Sequence, residues 1–177
     1  MVNNKQRLFE VMEKVNPDFN TKPKFIIPVG ISGSGKSSWI KSQTDSNTKV
    51  VSPDDIRREI LGSVNDQSRG GEIFNIAYQR VIDALNAKNN VIFDATNVSS
   101  SDRRNMLKYI KNNVNVDFDA YAKIFDVNPD ITKERIRKDI EAGVDRSNVP
   151  PEAIDRQYQK FIGGLDNLES DGYKIIN

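Results

Sequence analysis

The stretch Phe25-Ile26-Ile27-Pro28-Val29-Gly30-Ile31-Ser32-Gly33-Ser34-Gly35-Lys36-Ser37-Ser38-Trp39 decides how the rest of the chain is read. Its apolar opening is a short buried strand, its middle a glycine-rich turn, and its end the start of a helix. Gly30 and Gly35-Lys36-Ser37 complete the phosphate-loop pattern G-x-x-x-x-G-K-S/T. Gly30, Gly33 and Gly35 let the backbone turn tightly and point successive N–H groups at an anion, with Ser32, Ser34 and Ser38 in the same turn. The helix that begins near Lys36 adds the positive end of its dipole. Lys36 reaches the outer phosphates as a point charge, and the Ser37 hydroxyl is a ligand for Mg²⁺. A plain strand-to-helix turn explains the glycines alone. The full pattern between a strand and a helix implies a nucleoside triphosphate, taken here as ATP.

The chain has 177 residues, enough for one α/β domain with a sizeable core. A formal net charge of +1 gives no global field of the kind that coats nucleic acid or membrane. A polynucleotide would therefore be held locally, by its end. There are no cysteines, which excludes disulfides and thiolate metal sites, and no histidines. A general base must then be a carboxylate, a lysine or a tyrosine, and a metal must be a hard ion held by oxygen. No signal peptide or apolar run of membrane length is visible, so the expectation is a cytoplasmic protein without a membrane partner.

Residues 3 to 15 place Leu8, Val11, Met12 and Val15 at helical spacing, which predicts an amphipathic helix, followed by a linker to Pro23. Beyond the loop, strands are expected at residues 49–52, 91–94, 116–125 and 172–176. Helices are expected at 54–61, 72–87, 102–112 with Ser101 as N-cap, 129–142 and 151–162. Strands alternating with helices predict a three-layer fold, a parallel sheet of four to five strands covered on both faces. Residues 1–23 are then a helix and linker, and 24–177 a single domain built on the phosphate loop, with a lid at about 135–150.

A parallel sheet gathers its ligands outside the carboxyl ends of its strands. Asp54 and Arg57 follow the second strand, one helical turn apart, so that a carboxylate can accept a hydroxyl proton while a guanidinium forks onto a phosphate. Acids at a helix start also arise from the dipole alone. Asp94 follows Val91-Ile92-Phe93, as an acid does when it steadies Mg²⁺ beside a phosphate loop, although capping of its own loop gives the same pattern. Arg135, Arg137, Lys138 and Arg146 crowd the region of Gly143, where a lid arginine can neutralise charge on a transferring phosphoryl group. Arg103, Arg104, Lys108 and Lys111 form a second basic face, either solvated or facing a substrate backbone.

Together, Gly30 to Trp39, Ser52-Pro53-Asp54-Asp55-Ile56-Arg57, Val91-Ile92-Phe93-Asp94-Ala95-Thr96-Asn97 and Arg103-Arg104 resemble the kinase domain of bacteriophage polynucleotide kinase. Lys123 to Val127 and Val149-Pro150-Pro151-Glu152-Ala153-Ile154 match as well, so the resemblance spans about residues 24 to 162. It implies transfer of the γ-phosphate of ATP to the 5′-hydroxyl end of DNA or RNA. It also implies that Lys36 and Ser37 hold phosphate and Mg²⁺ beside Asp94, that Asp54 is the general base, and that Arg57 contacts the acceptor phosphate. Thr96 and Asn97 would line the acceptor channel, with Arg104 on the substrate side. The lid departs from the family pattern of two arginines one turn apart, because Asp139 stands four residues after Arg135. Arg137 is ranked first for catalysis, with Arg135 and Arg146 on the donor phosphates. No phosphatase motif D-x-D-x-T is present, which leaves an end-healing phosphatase or ligase to a separate partner.

Two rival readings use the same residues. A kinase for a small molecule, a nucleotide or sugar, shares the loop and the acid after the second strand. A nucleotide-binding switch needs the loop but neither Asp54 nor a lid arginine.

Overall fold

Strand β1 (Lys24–Val29) lies in the middle of the sheet because Phe25, Ile27 and Val29 are all fully buried and its backbone is paired on both sides. In the computed structural model, which describes residues 22–176, four further strands follow: β2 (Thr48–Val51), β3 (Asn90–Phe93), β4 (Asp119–Ile124) and β5 (Lys174–Ile176). The order is β2-β3-β1-β4-β5 and every pairing is parallel. The helices are α1 (Lys36–Gln43), α2 (Pro53–Leu61), α3 (Gly70–Asn86), α4 (Ser100–Asn113), α5 (Pro129–Glu141) and α6 (Pro151–Gly164). They cover the sheet on both sides, the three-layer arrangement expected from alternating strands and helices. The expected helix at residues 3–15 lies outside the described residues.

The order of the strands makes the site. From β1 the chain crosses to β2, whereas from β4 it runs outward to β5 on the other side. Connections that leave two neighbouring strands in opposite directions open a crevice at their carboxyl ends. The glycine-rich turn after β1 and the helix α5 after β4 border that crevice.

Packing follows the periodicity of the sequence. The stripe Ile73, Ala77, Val81 and Leu85 on α3 is wholly buried, joined by Ile82. Truncating Ile73 to alanine would cost about 2–5 kcal/mol, the lost transfer energy plus a cavity. Local signals set the helix ends. Ser52 accepts a hydrogen bond from the Asp55 N–H at 3.2 Å and Pro53 occupies the first turn of α2. The cap of α4 is Ser99 rather than Ser101, since the Ser99 hydroxyl accepts from the Asp102 N–H at 3.3 Å. The strand expected at 116–125 is shorter, beginning at Asp119, where its ladder with β1 begins at Lys24.

Candidate active site

The phosphate loop is built by close approach and by one strained turn. A Cβ on Gly30 would lie 2.7 Å from the Phe125 carbonyl oxygen and 2.8 Å from the Ser34 hydroxyl, so only glycine fits there. Gly35 has φ 99°, a conformation that favours glycine, and it caps α1 with no side-chain hydrogen bond. The first N–H groups of α1 thus open onto the cleft. The loop is tied to its surroundings at both ends: the Gly30 N–H donates to Thr96 O at 3.0 Å and the Ser32 N–H to Gln157 Oε1 at 2.9 Å.

Lys36 is buried at 8 % exposure and folds back into the loop. Its ammonium donates to Gly30 O at 2.9 Å and Ile31 O at 2.7 Å. Burial pulls its pKa down to about 8, partly opposed by Asp94 and assisted by the positive charge of Arg146. Asp94 is shifted upward, first by burial and then by Asp54 and Asp55, against the pull of Lys36. Charges after three different strands therefore act on one another across one space.

That space is a cavity of about 740 Å³, large enough for a nucleotide and part of an acceptor. Ser32, Gly33, Gly35, Lys36, Ser37 and Ser38 line one wall. Asp54, Asp55 and Arg58 line a second, Asp94 and Thr96 the floor, and Arg135, Asp139 and Arg146 the side formed by α5 and the segment after it. Arg135 reaches across from α5 to donate to Gly33 O at 3.2 Å. Ser34 is buried behind the loop instead, where it faces Lys36. The segment after α5 is tied across the cleft, with Arg58 Nε donating to Asp145 at 3.0 Å and the Asn148 N–H to Asn65 Oδ1 at 2.9 Å.

Four further expected site residues sit elsewhere. Arg137 points away from the cavity and is held by Glu134 and Glu141 on the exposed face of α5. It is two residues from Arg135, and a helical step of two turns a side chain to the far side. Arg57 does not line the cavity; it is buried behind Asp54, to which its Nη1 is paired, and its Nε has no partner. Its neighbour Arg58 takes the lining position. Asn97 is a clamp for its own loop, with φ 52° and its amide donating to Pro28 O at 2.8 Å, Ala95 O at 3.1 Å and Phe93 O at 3.2 Å. It faces a side cavity of about 190 Å³ that adjoins the cleft at Ala95 and Thr96. Arg104 donates to Ser100 and Asp171 and lies outside the cleft. Its neighbour Arg103 is no surface residue: it is 1 % exposed and bound to Asp171, Asn97 O, Val98 O and Gly164 O. Asp139 lines the cleft and was missed; its only signal was the four-residue step from Arg135.

A parallel five-stranded sheet with a phosphate loop at its switch point and acids after the next two strands defines a P-loop kinase fold, and with it ATP binding. The family model described as an AAA domain matches residues 25–162, and the chain belongs to that family. One similar solved chain, in a structure of the Pnkp1/Rnl/Hen1 RNA repair complex, is 27% identical over 85% of this chain and 48% of its own length, with a TM-score of 0.69. A second Pnkp1/Rnl/Hen1 structure gives 31% identity over 64% of this chain and 38% of that one, TM-score 0.56. The chain therefore spans under half the length of these relatives. A putative kinase from Chloroflexus aurantiacus shares the fold, at 17% identity over 75% of each chain and TM-score 0.62. No curated protein matches the sequence. Among the described residues no helix is long and apolar enough to cross a membrane.

Proposed function

We propose that this protein transfers the γ-phosphate of ATP to the 5′-hydroxyl end of a polynucleotide. The observation that carries the reading is the meeting of the phosphate loop, the acid Asp54 and two lid-side arginines around one open cavity. The likeness to chains of an RNA repair complex, which exceeds fold level at 27% identity, supports a nucleic-acid acceptor over a metabolite.

The residues divide the work as follows. Backbone N–H groups of the loop and α1 bind the donor phosphates, and Lys36 leaves its two carbonyl partners to meet them. Asp54 accepts the proton of the 5′-hydroxyl while that oxygen bonds to the γ-phosphorus and the bond to the leaving ADP oxygen breaks. Arg57 pairs with one oxygen of Asp54 and fixes the carboxylate, so that the other faces the cleft. Arg135 and Arg146 neutralise charge that grows on the transferring group. Ser37 and Asp94 are hard oxygen donors on the same cavity and would hold Mg²⁺ beside the donor phosphates. Bound Mg²⁺ supplies charge neutralisation on the outer phosphates.

The deciding experiment incubates the protein with γ-labelled ATP, Mg²⁺ and a panel of acceptors. Label on 5′-hydroxyl DNA or RNA oligonucleotides supports the proposal. Label confined to nucleosides, monophosphates or sugars assigns a small-molecule kinase, and nucleotide binding with no transfer assigns a switch.

A further inference from the structure

Asp139 is an anomaly in this cleft. It projects its carboxylate into a cavity lined by Lys36, Arg135, Arg146 and a ring of backbone N–H groups, all suited to anions. By itself it repels a triphosphate. It stands one helical turn after Arg135 on α5, hence on the same face, and its carboxylate is paired with Arg146 Nη1. Its backbone carbonyl also accepts the Val144 N–H at 2.9 Å, so the point where the lid leaves the helix and the arginine that the lid carries are tied to one residue.

Arg146 has donors left over. One nitrogen is engaged by Asp139, while Nε is buried and has no hydrogen-bond partner. A guanidinium has five N–H groups in a rigid fork, and a buried donor without an acceptor is costly unless a ligand supplies one. The Arg146 charge is also near enough to bear on Lys36. Taking the cleft as the ATP donor site, we infer that Asp139 is a positioning residue: it pins Arg146 by one nitrogen and aims the others at the donor's outer phosphates. The cleft thereby gains a second guanidinium beside Arg135, delivered from a loop and steadied by an acid on the helix.

The acid predicts an unusual kinetic pattern. Removing it takes a negative charge from an anion site, which favours ATP in the ground state, yet it frees Arg146 to wander and weakens support for charge developing in transfer. Asp139→Ala should therefore lower kcat about tenfold or more, the scale for misplacing one oriented donor. Its affinity for a fluorescent mant-ATP should be unchanged or tighter. Asp139→Glu should recover part of kcat, and in an Arg146→Ala background Asp139→Ala should cost nothing further. The inference is overturned if Asp139→Ala keeps or raises kcat, if kcat and mant-ATP affinity fall in parallel, or if the two losses multiply in the double variant. Should the wild type bind mant-ATP but leave 5′-hydroxyl oligonucleotides unlabelled, the acceptor assignment falls. The same proteins are then compared by hydrolysis of ATP to ADP and phosphate, which decides the role of Asp139 alone.

Discussion

Replacing Asp171 by alanine should be among the most damaging single changes outside the cleft. Its side chain is fully buried and accepts from Arg103 Nε at 2.9 Å, Arg103 Nη2 at 2.6 Å, Ser100 Oγ at 2.8 Å and Arg104 Nη1 at 3.1 Å. Arg103 is equally buried, so solvent screens neither charge. The alanine leaves the Arg103 cation in the interior with its Nε unpaired, although Gly164 O, Asn97 O and Val98 O still accept from the other nitrogens. Breaking one side of a buried pair costs about 3–5 kcal/mol. In a domain of this size each kcal/mol lowers Tm by roughly 2–4 °C, so a fall of about 10 °C is expected. Urea and thermal denaturation of the two proteins measure it. The double variant Arg103→Met with Asp171→Leu, which removes both charges, should recover more than half of the loss. A single variant within about 1 kcal/mol of wild type, or a double variant worse than the single one, would refute the reasoning.

Asp54→Asn should leave ATP affinity and folding nearly unchanged while lowering transfer to a 5′-hydroxyl about a hundredfold or more; Asp55→Asn, whose side chain is paired with Arg58, should cost far less. If Asp55 proves the essential acid, the proton acceptor is misassigned. Arg135→Ala should lower kcat more than ATP affinity, whereas Arg137→Ala should leave both within about twofold because its charge is spent on two surface glutamates. Parallel activity assays decide between the two arginines. The last prediction concerns pH. Lys36 falls from 10.5 to about 8 on folding, so between those values the unfolded state binds more protons and stability rises with pH. Relative to Lys36→Met, nucleotide-free wild type should gain up to about 3 kcal/mol from pH 7 to 10.5 in urea titrations. A flat difference between the two proteins would show that Lys36 keeps an ordinary pKa.

The sequence by itself determined the parts that depend on local geometry. Gly30 to Ser37 read as a phosphate loop, because the spacing of glycines, lysine and serine is a chemical requirement met within eight residues. The alternation of strand and helix and the stripe on α3 were legible for the same reason, since periodicity acts over one or two turns, whereas the cap expected at Ser101 fell at Ser99. Strand-end logic likewise collected Asp54 and Asp94, because a parallel sheet puts all its carboxyl ends on one side. What a charged side chain faces was not legible, since that depends on elements far away in sequence. Arg103 read as part of a basic face, solvated or meeting a substrate backbone, until Asp171, sixty-eight residues on, closed over it. Arg137 ranked ahead of Arg135 until α5 docked and turned Arg135 to the phosphate loop and Arg137 to solvent. For the same reason Arg57 turned inward behind Asp54 while its neighbour Arg58 lines the cleft. Asp139 acquired its meaning only when the lid folded back and laid Arg146 against it.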